Sequence, residues 1–118
     1  MTVASGGYWV IGLCADWCHV CRGMKPDFDQ MPRLLPDARW VWLDIEDHDD
    51  LLGDLDITTF PTYLIASDEG IHLLAPGPTK ADALARFVAP YLRQAVAPMA
   101  HDETLSQLLG RVRERASP

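Results

Sequence analysis

The sequence predicts an α/β domain in which helices flank a mixed central sheet. Three observations carry that prediction. Residues 8–14 and 40–45 are almost continuously apolar, and the stretch between them has helical spacing, as in a right-handed crossover joining parallel strands. Residues 63–66 and 71–74 are apolar runs joined by the turn residues Ser67-Asp68-Glu69-Gly70, which marks an antiparallel hairpin. Residues 79–92 then show the periodicity of an amphipathic helix.

In chain order, residues 1–7 form an entry segment. Tyr8-Trp9-Val10-Ile11-Gly12-Leu13-Cys14 is the first strand, rich in aromatic and β-branched side chains and suited to burial on both faces. Asp16 is the expected N-cap of the helix that follows. Met24, Phe28, Met31 and Leu35 keep helical spacing, with Pro26 expected to kink the helix. Pro32 is expected to end it or to open a short separate turn closing at Pro36-Asp37. Residues 40–45 form the second strand.

The acidic stretch 46–56 carries Leu51, Leu52 and Leu55 and is expected to be a short surface helix. The seven acids from Asp44 to Asp56 are expected to form a solvated face, since the Asp/Gly ladder of a calcium loop is missing. After the hairpin and the break at Pro76-Gly77-Pro78, Thr79 and Asp82 form a capping-box-like start. They open a helix with Leu84, Phe87, Val88, Tyr91 and Leu92 on one face. A last segment after Pro98 places Leu105, Leu108, Leu109 and Val112 on one side and Arg111, Arg113, Glu114 and Arg115 on the other. We divide the chain into a domain over residues 1–98 and a C-terminal amphipathic helical extension over residues 99–118. The stripe of that helix either covers bare sheet surface or docks on another protein.

The 118 residues suffice for one domain with its own core. A net charge of −7 disfavours a phosphate-binding surface, so neither nucleic acid nor a membrane is an expected partner. No apolar run approaches the roughly 20 residues that span a bilayer. Residues 1–7 lack a basic segment of the secretory type. Three cysteines within eight residues are not a stapling framework, and the expected compartment is the reducing cytoplasm, or the periplasm if a leader was trimmed.

All three cysteines lie in Cys14-Ala15-Asp16-Trp17-Cys18-His19-Val20-Cys21, directly after the first strand. Two sulfurs separated by two residues can close a disulfide when the backbone between them bends as in the first turn of a helix. The unpaired N–H groups there favour a thiolate, the nucleophilic form of cysteine. At this level a redox pair, metal ligands and an inert buried pair are all open. The spacing of Cys14, Cys18 and Cys21 also resembles the iron–sulfur motif of radical S-adenosylmethionine enzymes, but this chain is too short for the partial barrel those enzymes need.

Trp17-Cys18-His19-Val20-Cys21, after a buried strand and opening a helix, resembles the active site of the thioredoxin superfamily. The run from Ala15 to Cys21 is especially similar to the thioredoxin-like domains of periplasmic thiol:disulfide interchange proteins. Pro26, residues 43–46, Phe60-Pro61-Thr62 and Gly77 fall where that family has its helix proline, central-strand exit, cis-proline loop and post-hairpin glycine. The resemblance covers roughly residues 8–95. Two departures stand out. The family's N-terminal strand and helix have no counterpart, and Gly12 occupies the position of its buried acid.

The resemblance implies a thioredoxin-like fold and a thiol–disulfide oxidoreductase without a bound cofactor or metal. Cys18 would be the nucleophile and Cys21 the resolving thiol, with Cys14 a small buried apolar side chain that has a secondary chance of forming a regulatory disulfide. His19 and Asp16 would modulate the pair, a protonated His19 favouring the Cys18 thiolate. Trp17, Thr59, Phe60 and Pro61 would line the substrate groove. His48, His72 and His101 are expected at the surface. Partners would be protein thiols or disulfides and an electron-donating reductase or thiol pool, with the chain a monomer or weak dimer. The competing function is a non-enzymatic redox sensor or adaptor that uses the same cysteine pair as a binding switch.

Overall fold

A computed structural model of the chain describes residues 7–15, 18–45, 60–93, 96–100 and 102–116. The expected surface helix over 46–56, His48 and His101 lie outside the described residues. The elements run β1 (Tyr8–Cys14), α1 (His19–Asp29), α2 (Met31–Leu34), β2 (Ala38–Asp44), β3 (Thr62–Ser67), β4 (Gly70–Pro76), α3 (Ala81–Leu92) and α4 (Glu103–Ala116). Among the described residues the strands form one mixed sheet in the order β2-β1-β3-β4. β1 runs parallel to β2 and antiparallel to β3, and β3 pairs antiparallel with β4.

β1 lies in the middle of this sheet, and its alternation divides the core. Ile11 and Leu13 join Leu64, Ala66 and Ile71 on one face, where Leu105, Leu108, Leu109 and Val112 of α4 cover them. Val10 and Cys14 join Tyr63 and Ile65 on the other, under Met24 and Phe28 of α1, Met31 of α2, and Leu84 and Val88 of α3. A strand buried on both faces has no polar positions, which is why Tyr8–Cys14 is nearly continuously apolar. The apolar stripe of α4 therefore packs on the sheet of its own chain.

Proline and cap chemistry set the helix ends. α1 passes through Pro26 and stops at Asp29, and Pro32 stands in the first turn of α2, where its missing N–H has no partner to lose. The expected capping box of α3 is not formed. Lys80 is the N-cap, and Asp82 Oδ1 accepts from the adjacent Ala83 N–H instead. The Ala81 N–H donates across the fold to Asp27 Oδ2 of α1, at 2.7 Å. A carboxylate from another helix thus satisfies the end of α3 and ties it to the helix that carries the cysteines. At α4, Asp102 Oδ1 accepts from Leu105 N–H at 3.1 Å, as an N-cap side chain does.

His72 departs from its expected surface place. It is 5% exposed on β4; its Nδ1 donates to the Val96 carbonyl at 3.0 Å, and its Nε2 lies 2.7 Å from Ser67 Oγ. Ser67 Oγ also accepts from Glu69 N–H, so the histidine closes the hairpin turn from within. The imidazole packs between the rings of Tyr8 and Tyr91, which gives a buried polar side chain both hydrogen bonds and apolar contact.

Candidate functional site

The cysteines gather where β1 ends and α1 begins. Cys18 is the N-cap of α1, with extended backbone angles (φ −84°, ψ 119°) and no side-chain hydrogen bond to the helix end. Its N–H donates to the Ala15 carbonyl and its own carbonyl accepts from Arg22 N–H, which closes the first turn. The helix is therefore capped by the cysteine itself, two residues later than the expected Asp16. The Cys18 thiol is free and partly exposed, at the end of a helix whose N–H groups carry positive partial charge.

Cys21, one turn on, points inward and is 1% exposed. A disulfide joins it to Cys14, with Cα atoms 5.8 Å apart. Cys14 thus takes the second of its two expected roles, a disulfide partner rather than packing, and the pairing differs from the expected one of Cys18 with Cys21. The reason lies in the strand alternation. Tyr8, Val10, Gly12 and Cys14 all face the α1 side, so the last residue of β1 lies beneath the first turn of the helix, where Cys21 enters the core. The Cα separation is within the ordinary range for a disulfide, about 4.4–6.8 Å.

Gly12 and Phe28 account for the missing acid. A Cβ built on Gly12 would stand 3.0 Å from Phe28 Cε1, so the phenylalanine ring fills the space beside that strand position. Phe28 packs edge-on to Trp40 and Trp42, so among the described residues an aromatic cluster lies beside the Gly12 position. Gly12→Asp is expected to destabilise the fold by about 1–3 kcal/mol through overpacking. Phe28→Ala in the same chain should give a double variant less destabilised than the sum of the two single changes. Urea unfolding of the four chains measures the coupling, and strict additivity would separate Gly12 from Phe28.

The loop opposite the cysteines enters through β3. Leu13 pairs with Thr62, which brings Phe60 and Pro61 to the Cys14 end of the sheet. The Phe60–Pro61 peptide bond is cis. Pro61 is buried, while Phe60 is half-buried against the same apolar cluster that Cys18 borders. Asp16, Trp17 and Thr59, three of the residues expected at this site, lie outside the described residues. His19 is exposed, and its Nδ1 accepts from the Arg22 guanidinium at 2.8 Å, so that nitrogen is directed to Arg22 rather than held as a donor. Val20, also between Cys18 and Cys21, is 50% exposed. Apolar residues in a helical run are usually core, but Val20 falls outside the stripe of Cys21, Met24 and Phe28 that α1 buries, and this spacing is the signal that marks it as outward-facing.

Gly77, after β4, lies against the rings of Tyr63 on β3 and Phe87 on α3. A Cβ there would lie 2.7 Å from Tyr63 Cδ2 and 3.0 Å from Phe87 Cε2, so only glycine fits without displacing a packed ring. The Tyr63 hydroxyl donates to the Pro78 carbonyl at 2.6 Å. Burial pushes the Tyr63 phenol well above its ordinary 10.0. Tyr8 is raised as well, by burial first and then by the charge of Glu69. A raised folded-state value means stability from Tyr63 is complete below pH 10.0 and drains away as pH climbs beyond it. Tyr63→Phe is expected to lose about 0.5–1.5 kcal/mol at neutral pH with its hydrogen bond, and to show a shallower loss of stability above pH 10. Urea midpoints followed from pH 8 to 11 test both parts.

A family model described as Thioredoxin matches residues 2–90. The chain belongs to the thioredoxin family. Among curated relatives, the mitochondrial thioredoxin-3 of Saccharomyces cerevisiae is 30% identical over 59 residues, covering 50% of this chain and 46% of the yeast protein. A thioredoxin of Ophiophagus hannah is 30% identical over 64 residues, covering 53% and 61%. The alignments thus span about half to three fifths of these relatives' length. In structure, Fasciola hepatica thioredoxin superposes with a TM-score of 0.62 at 19% identity, covering 71% of this chain and 80% of the other. Oxidised mitochondrial thioredoxin 3 of S. cerevisiae superposes at 0.60 with 24% identity, covering 73% and 80%. The thioredoxin fold is common to all of them, and the mixed sheet with flanking helices described above is that fold.

Proposed function

We propose that this thioredoxin-family chain is a thiol–disulfide oxidoreductase acting on protein disulfides and dithiols. The observation that carries the reading is the partly exposed free thiol of Cys18 capping α1, one helical turn from a Cys21 sulfur engaged in a disulfide. In the reducing direction, the Cys18 thiolate attacks one sulfur of a substrate disulfide; the new Cys18–substrate bond forms as the substrate S–S bond breaks and a substrate thiolate leaves. Cys21, when reduced, attacks Cys18 Sγ, closes a Cys18–Cys21 disulfide and releases the second substrate thiol. A reductase or small-thiol pool returns the two electrons.

Half-buried Phe60 and exposed Val20 offer apolar contact to an extended substrate, with Trp17, Thr59 and Pro61 proposed from the sequence for the same groove. A second reading has a specific observation behind it. The Cys14–Cys21 disulfide is buried, out of reach of a protein substrate, as befits a redox sensor or adaptor whose binding changes on oxidation. Turnover decides between them. With dithiothreitol as regenerating reductant, the oxidoreductase reduces a test protein disulfide many times per chain. Absence of turnover by the reduced protein, with partner affinity changing on oxidation, would replace it by the adaptor.

A further inference from the structure

We propose that Cys14 is a third exchange thiol, which competes with Cys18 for Cys21 and thereby switches the site between a two-cysteine and a one-cysteine state. The proposal builds on the oxidoreductase reading above and rests on the observed Cys14–Cys21 disulfide beside a free Cys18 thiol. Cys21 is adjacent to both partners. Cys18 precedes it by three residues at the start of the same helix, and the Cys14 Cα stands 5.8 Å from its own.

The step conserves electrons. A Cys18–Cys21 disulfide, left by reduction of a substrate, is attacked at Cys21 Sγ by the Cys14 thiolate. The Cys14–Cys21 bond forms, the Cys18–Cys21 bond breaks, and the Cys18 thiolate leaves; the proton given up by Cys14 is matched by one taken up at Cys18. Nothing is oxidised or reduced overall, and no further reagent is required. Solvation sets the direction. Cys14 is 1% exposed within an apolar cluster, whereas Cys18 is partly exposed at the helix start. The anion that the exchange leaves behind is better solvated at Cys18, at the exposed helix start, than it would be at Cys14 in the apolar core.

The consequence is functional. In the Cys14–Cys21 state Cys18 still attacks a disulfide, but Cys21 is occupied and cannot resolve the mixed disulfide that results. The oxidised chain then holds a partner covalently instead of releasing it. Reduction of the buried disulfide by a small thiol restores the two-cysteine cycle, and before Cys18 has captured a partner its return attack on Cys21 Sγ re-forms the Cys18–Cys21 disulfide and frees Cys14.

The test begins with the whole chain equilibrated in a glutathione buffer until it carries one disulfide. It is quenched in acid, denatured, labelled with N-ethylmaleimide, reduced and labelled with iodoacetamide. Tandem mass spectrometry then locates the maleimide. Maleimide on Cys18 is the expected result, and maleimide on Cys14 alone would overturn the proposal. In a second arm, native one-disulfide protein meets an aromatic disulfide reagent that releases a coloured thiolate. Wild type should release one equivalent rapidly and retain the adduct by mass, whereas one-disulfide Cys14→Ala, with both remaining cysteines bonded, should release none. Equal release from the two chains would overturn the proposal. Circular dichroism checks that Cys14→Ala folds, and Cys14→Ser replaces it if it does not; the label map requires neither variant.

Failure of the parent reading is separable. If reduced wild type and reduced Cys14→Ala both fail to turn over a test disulfide, the oxidoreductase reading falls whatever the label map shows. Turnover by both, with maleimide found only on Cys14, removes the third-thiol role and leaves that reading standing.

Discussion

Cys18→Ser is expected to reduce catalysed disulfide reduction to the uncatalysed rate. Serine keeps the volume and the N-cap position but cannot form the mixed disulfide through which exchange proceeds. The partly exposed Cys18 is the cysteine that a substrate reaches, since Cys14 and Cys21 are both 1% exposed. Cys21→Ser should behave differently. It leaves the attacking thiol in place and removes resolution, so turnover falls while a substrate adduct accumulates on Cys18, visible as a mass increase that dithiothreitol reverses. Parallel turnover and intact-mass measurements on the two variants separate attack from resolution. Retention of wild-type turnover by Cys18→Ser would remove Cys18 from the mechanism.

Leu108→Ala should be the most destabilising single truncation in α4, with a loss of about 2–5 kcal/mol. Leu108 is fully buried among Ile11, Leu13 and Leu64, so shortening it opens a cavity against the central strand. Leu34→Ala, at an exposed leucine of α2, is the control and should stay within about 0.5 kcal/mol of wild type. Chemical denaturation monitored by tryptophan fluorescence measures both. An unchanged midpoint for Leu108→Ala would mean that α4 does not share the core of the sheet in solution.

The strands were legible because each is a short apolar run bounded by turn or charged residues. β1 coincides with its expected range, and β3 and β4 extend theirs by one to two residues at each end, as hydrogen-bond ladders do beyond the hydrophobic core. The helices were legible from periodicity, and the family from cysteine spacing supported by Pro26, Pro61 and Gly77. The errors share a cause. Asp16 as N-cap, Thr79 with Asp82 as a capping box, and His72 at the surface were all local inferences about polar side chains. Each was decided by a partner outside the local pattern or by the geometry of the chain entering the helix. Asp27 reaches across from α1 to Ala81, Val96 and Ser67 enclose His72, and the backbone turn after β1 places Cys18 at the cap.

The order of the strands, the two-sided burial of β1 and a cysteine cluster where a strand meets a helix can all be read from neighbouring residues alone. Hydrophobic period and turn chemistry are properties of neighbouring residues, and they are visible without coordinates. Which sulfurs meet depends instead on how β1 and α1 pack together. The spacing of Cys18 and Cys21 is the same whether or not they are bonded, but the pleat of β1 turns Cys14 toward α1 and the inward face of that helix turns Cys21 toward Cys14. The same strand face brings Gly12 against Phe28 and fills the place of an acid with an aromatic ring. Both outcomes follow from the alternation of one central strand beneath one helix.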